Sequence, residues 1–95
     1  MNYILIGGSG FIGQHFIKKL NNKILLNIDL NEGINNSKFT YCDICNLKEL
    51  LSIKIPQKSD ITLINLAAVH FDFQKNFFDT NVNGTSNILK FIDLN

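Results

Sequence analysis

The chain carries almost no charge imbalance. Nine basic and eight acidic side chains in 95 residues leave a net charge of +1. No run of lysines or arginines concentrates the positive charge, which argues against a dedicated nucleic-acid surface. No apolar stretch approaches bilayer-spanning length, and Met1-Asn2-Tyr3 leads straight into a strand-like run without a signal-peptide core. These absences give the expectation of a soluble, cytoplasmic protein without membrane or nucleic-acid partners. Cysteine is scarce. Cys42 and Cys45 stand at C-x-x-C spacing, but there is no second pair, and His15 and His70 are isolated. A structural zinc centre takes four ligands, so two reduced thiols are expected and no metal site. Proline occurs once, at Pro56, and no linker or internal repeat divides the chain. The apolar fraction of 45% is that of a chain with a core, and the length is room for one small domain. A core of that size is marginal without a partner, a ligand or more chain.

The chain is organised around the turn Gly7-Gly8-Ser9-Gly10-Phe11-Ile12-Gly13. Before it, Tyr3-Ile4-Leu5-Ile6 reads as a strand buried on both faces. After it, Ile12, Phe16 and Leu20 recur at helical spacing, which predicts a helix from about Phe11 to Leu20. A strand that turns through glycines into a helix is suited to binding phosphate. Glycine permits the tight turn and a close backbone approach, and the helix start presents free N–H groups and a positive dipole end. The spacing is G-x-x-G-x-x-G, which differs from the commoner G-x-G-x-x-G dinucleotide fingerprint.

Further strands are expected at Ile24–Ile28, ending at Asp29, at Phe39–Cys42, ending at Asp43, and at Ile61–Leu66, ending in Ala67-Ala68. Asn46 and Glu49 resemble a capping box opening a short helix with Leu47, Leu50 and Leu51 on one face. Phe78, Val82, Thr85, Leu89 and Ile92 predict a long final helix, with Gly84 tolerated for close packing on a sheet. Strands alternating with helices indicate an α/β fold: a partial Rossmann, doubly wound parallel sheet of four strands, order 3-2-1-4, with helices on both faces.

Four features then converge on the carboxyl ends of the strands, where such sheets bind ligands. The glycine turn is the first. Asp29, about 22 positions after Gly7, is placed to accept hydrogen bonds from both ribose hydroxyls of adenosine, and its charge would repel a 2′-phosphate, favouring NAD over NADP. Asp43 could accept from the adenine amino group while Ile44 packs on the ring. Asn65-Leu66-Ala67-Ala68 offers small side chains where a cofactor would lie across the sheet.

With these motifs in this order, the chain resembles the amino-terminal part of an extended short-chain dehydrogenase/reductase of the NAD-dependent epimerase/dehydratase group, which acts on nucleotide sugars. The glycine motif with its Phe11-Ile12 pair, Ile28-Asp29-Leu30, Cys42-Asp43-Ile44, Asn65-Leu66-Ala67-Ala68 and Thr80-Asn81-Val82-Asn83-Gly84-Thr85 all resemble that family's motifs. The resemblance implies that Gly7, Gly10, Phe11 and Ile12 contact the pyrophosphate and that Gly13 allows close helix packing. It implies that Asp29 and Leu30 flank the ribose, that Asp43 and Ile44 bind adenine, and that Leu66, Ala67 and Ala68 line the path to the nicotinamide. Asn81 would face the cofactor or tie the last helix to strand four. His70 would reach the phosphates or be a plain loop residue. The family's catalytic Ser or Thr and Tyr-x-x-x-Lys pair have no match here, because neither Tyr3 nor Tyr41 has a lysine four residues on. The expectation is the NAD-binding portion of a larger epimerase, dehydratase or reductase, itself catalytically incomplete and prone to self-association. The alternative is a non-catalytic NAD-binding or regulatory module.

Overall fold

A computed structural model describes residues 2–33, 38–56, 60–67 and 79–94. Its elements are β1 (Asn2–Ile6), α1 (Phe11–Leu20), β2 (Ile24–Asp29), β3 (Phe39–Tyr41), α2 (Leu47–Leu51), β4 (Ile61–Asn65) and α3 (Thr85–Asp93). The four strands form one sheet in the order β3-β2-β1-β4, and every pairing is parallel. This is the expected partial Rossmann arrangement. Ile6 lies opposite Ile28 on one side and Asn65 on the other, so the strands end together along one edge of the sheet.

Side chains of a strand point alternately to its two faces, and β1 uses both. Leu5 packs with Ile17 of α1 and Ile24, joined by Phe16, Leu20 and Ile64. Ile4 and Ile6 pack on the opposite face with Ile28, Leu50 of α2, and Ile88 and Phe91 of α3. Helices therefore cover both faces, which explains why β1 reads as an unbroken apolar run rather than an alternating one.

Two helix faces differ from the sequence expectation. In α1 the buried residues are Gly13 and Ile17, while Ile12 is exposed. The last helix begins as a π-helical turn over Asp79–Gly84 and becomes α-helical at Thr85. There the expected stripe lies outside: Val82, Leu89 and Ile92 are exposed, whereas Ile88 and Phe91 are fully buried. Apolar residues occupy adjacent sides of this helix, so spacing alone cannot say which side meets the sheet. Phe78 lies outside the described residues.

The start of α2 follows the capping-box pattern in part. Asn46 Oδ1 accepts from the Glu49 N–H at 3.1 Å. Glu49 Oε1 reaches back past the cap to accept from the Asp43 N–H at 3.0 Å, while the Asn46 N–H donates to the Asp43 carbonyl at 2.9 Å. Among the described residues no helix is long and apolar enough to cross a membrane.

The two faces of α3 should separate in stability measurements. Phe91→Ala is expected to destabilise the fold by about 3–5 kcal/mol, and Leu89→Ala by no more than about 0.5 kcal/mol, in chemical denaturation. Comparable losses from both would place the buried face elsewhere.

Candidate functional site

The glycine turn connects β1 to α1 and lies against the ends of β2 and β4. Gly7 adopts the left-handed φ of +76°, and its N–H donates to the Ile28 carbonyl at 2.8 Å. A β-carbon at Gly7 would lie 2.7 Å from the Ala67 nitrogen, and one at Gly13 would collide with the Gly8 backbone. Glycine is thus required at both positions by the protein itself. Gly10 is different: among the described residues an added β-carbon would meet only the Gly7 carbonyl oxygen, at 3.7 Å, so none of them closes the outer side of the turn there.

Gly10 is also the N-cap of α1. It supplies no side-chain cap, and the first turn holds no acidic residue. The opening amides of a helix lack intrahelical partners, and no acidic side chain within the first turn offsets the positive dipole end. Phe11, 83% exposed, and Ile12 both project outward, with the Phe11 ring edge-on to His15 at 5.2 Å. This geometry suits an anion approaching from solvent.

Side chains of β2 hold the turn from beneath. The Gly8 N–H donates to Asn27 Oδ1 and the Ser9 N–H to Asp29 Oδ2, each at 2.9 Å. Asp29 Oδ1 accepts from the Leu30 N–H at 2.6 Å. Gln14 closes the other side by donating to the Ser9 carbonyl at 3.1 Å. Neither Asn27 nor Ser9 was among the candidate residues. The available signal was a single amide within the run Ile24-Leu25-Leu26-Asn27-Ile28.

Beyond the turn, a notch of about 70 Å³ is lined by Ile6, Gly7, Ile28, Asp29, Leu30, Cys42, Asp43, Ile44 and Ala67. It brings together candidates from four separate segments: Gly7, Asp29 with Leu30, Asp43 with Ile44, and Ala67. Asp43 Oδ1 accepts from the Cys45 N–H at 2.9 Å, which shapes the loop after β3. Asn87 of α3 donates to the Ile44 carbonyl at 2.8 Å, tying the same loop to the helix layer; nothing in the sequence pattern singled it out. Leu66 is half-buried and donates its N–H to the Ile6 carbonyl at 2.7 Å. Asn81, in the π-helical turn, is half-buried and its carbonyl accepts from the Thr85 hydroxyl at 3.0 Å; it does not line the notch. Ala68 and His70 lie outside the described residues. A larger cavity of about 570 Å³ lies near the amino ends of β1 and β4, lined by apolar residues and Asp60. It contains none of the candidates. Among the described residues, no group of three or more His, Cys, Asp and Glu is placed to hold a metal ion.

Cys42 and Cys45 are thiols that are not joined in a disulfide. Burial pushes the Cys42 thiol up to about 12, helped by the negative charge of Glu49, a hydrogen bond to it, and the charge of Asp43. The thiol is therefore protonated and unreactive at neutral pH.

A parallel sheet with a glycine turn and two strand-end carboxylates around one notch defines a protein of the dinucleotide-binding α/β class. A family model, the NAD dependent epimerase/dehydratase family, matches residues 3–95, and the chain belongs to that family. No curated protein matches the chain. Among solved structures, a uronate dehydrogenase mutant from Agrobacterium tumefaciens complexed with NAD shares 14% identity, with a TM-score of 0.73 over 98% of this chain and 36% of that one. A UDP-glucose 4-epimerase shares 20%, with a TM-score of 0.75 over 99% and 32% of the two chains. A dTDP-glucose 4,6-dehydratase from Bacillus anthracis in complex with NAD shares 26%, with a TM-score of 0.65 over 99% and 34%. The chain spans about a third of the length of these structures.

The Cys42 environment sets a pH dependence. The folded-state value lies above the ordinary 9.0. The neutral thiol's contribution to stability is therefore fully present below about pH 9 and is lost as pH rises towards about 12. Between those limits, denaturation of Cys42→Ser is expected to show a shallower alkaline decline than the unaltered protein. Identical slopes would count against the shift.

Proposed function

We propose that this chain is the NAD-binding portion of an enzyme acting on nucleotide sugars. The parent would be an epimerase, dehydratase or reductase in which hydride passes between a sugar carbon and the nicotinamide. Residues 1–95 form the amino-terminal part of its NAD-binding domain, with the catalytic segment and substrate domain contributed by other parts of the protein. The observation that carries this reading is the convergence of Gly7, Asp29, Asp43 and Ala67 on one notch beside the helix start at Gly10, which no described residue covers.

The residues fit the cofactor's parts in order. The amides at the start of α1, with Gly7, Gly10, Phe11 and Ile12 around them, receive the pyrophosphate, and Gly13 lets the helix pack close. Asp29 accepts from the ribose hydroxyls beside Leu30. Asp43 and Ile44 take the adenine. Leu66, Ala67 and Ala68 line the path towards the nicotinamide, and Asn81 faces the cofactor or ties the last helix to the fourth strand. NAD supplies a hydride acceptor when bound. No residue of this stretch is assigned a proton-transfer role, since it contains no Tyr-x-x-x-Lys pair.

Titration of the purified protein by calorimetry tests the reading. NAD should bind more tightly than NADP, because Asp29 faces the position of a 2′-phosphate. Hydrogen bonds to a charged group contribute about 1.5–3 kcal/mol, so Asp29→Asn should weaken NAD about ten- to a hundredfold and narrow the gap to NADP. Absence of binding at millimolar NAD would overturn the reading, and a preference for NADP would remove Asp29 from its role.

A further inference from the structure

Asn27 is the only buried polar side chain among the described residues, at 1% exposure. It sits in the interior of β2, where its own N–H donates to the Lys38 carbonyl at 2.8 Å. A buried amide without partners is costly, and this one has two, both in the glycine turn. Its Oδ1 accepts from the Gly8 N–H at 2.9 Å, and its Nδ2 donates to Ser9 Oγ at 3.2 Å. With the Ser9 N–H directed to Asp29, the amides of Gly8 and Ser9 are both turned inward to β2. The amides that remain for a ligand are those at the start of α1.

Gly8 and Asn27 are also matched in shape. Gly8 is not among the residues with positive φ, so its backbone does not demand glycine. The two nearest obstacles to a side chain there are Asn27 Oδ1 and Cγ, and the third is the flexible end of Leu5, at 3.1 Å. The Asn27 amide therefore occupies the place of a Gly8 side chain. We propose that Asn27 is the positioning residue of the dinucleotide site: its buried amide clamps Gly8 and Ser9 so that the amides opening α1 face a pyrophosphate. The inference rests on the NAD-binding reading above and adds to it a residue that contacts no part of the cofactor.

The test compares NAD, ADP and adenosine, since adenosine has no phosphate. In Asn27→Val, affinity for NAD and ADP should fall about tenfold while adenosine stays within about twofold. Gly8→Ala should weaken NAD in the unaltered background, and cost much less in Asn27→Val, where the obstructing amide is gone. Equal losses for all three ligands, no loss, or strict additivity of the two substitutions would overturn the clamp. A wild-type protein that binds none of the three would overturn the NAD reading and the clamp together, and that result is distinct from any failure confined to the variants. If Asn27→Val does not fold, amide exchange in the wild-type protein decides. Gly8 should exchange slowly, while Phe11 and Ile12 exchange fast and slow down when ADP is added. Fast exchange at Gly8 would overturn the proposal.

Discussion

The close approach of Gly7 to the end of β4 is the constraint on which the site depends. A backbone with φ of +76° and no β-carbon lets the turn lie against Ala67, where any side chain would be within 3 Å of main-chain atoms. That approach directs the chain from the end of β1 into α1 without leaving the sheet edge. It places the helix start, which has no side-chain cap, beside the notch. A side chain at Gly7 would lift the turn away from β4 and separate the start of α1 from the strand-end carboxylates.

Parallel pairing does the remaining assembly. Because all four strands run the same way, residues far apart in the chain arrive at one edge: Gly7 after β1, Asp29 at the end of β2, Asp43 after β3 and Ala67 after β4. Each is positioned by its own strand's register with its neighbour. The loop after β3 is secured twice more, by Glu49 on the Asp43 amide and by Asn87 on the Ile44 carbonyl. The helices therefore do more than cover the sheet. They hold the loop after β3, while the core between them, centred on Ile4, Ile6, Ile28 and Phe91, keeps the strand ends aligned.

Much of this was legible beforehand. The strands appear within a residue of where composition places them, and the order β3-β2-β1-β4 is the one expected of a Rossmann-type doubly wound sheet. The start of α2 at Asn46 could be read because a capping box is a local device, although its glutamate turned out to serve Asp43. The orientation of α3 was not legible. Val82, Leu89 and Ile92 make as good a stripe as Ile88 and Phe91, and burial goes to whichever side the sheet occupies. The same holds for Ile12 in α1, which spacing groups with Phe16 and Leu20 but which lies at the exposed helix start. Asn27 was hidden for a related reason: a polar residue in an apolar strand is informative only once its partners in the turn are known.

The residues read in order were enough for the period of each element, the alternation of strands and helices, and the positions of the glycine turn and of the strand-end aspartates. Those are local properties, set by backbone sterics and by spacing along the chain. Packing in three dimensions was needed to settle which helix sides face the sheet, which amides are turned inward by Asn27 and Asp29, and which carboxylates share a notch with Gly7. Those depend on distances between residues remote in sequence, and only the registered packing of strands and helices sets them.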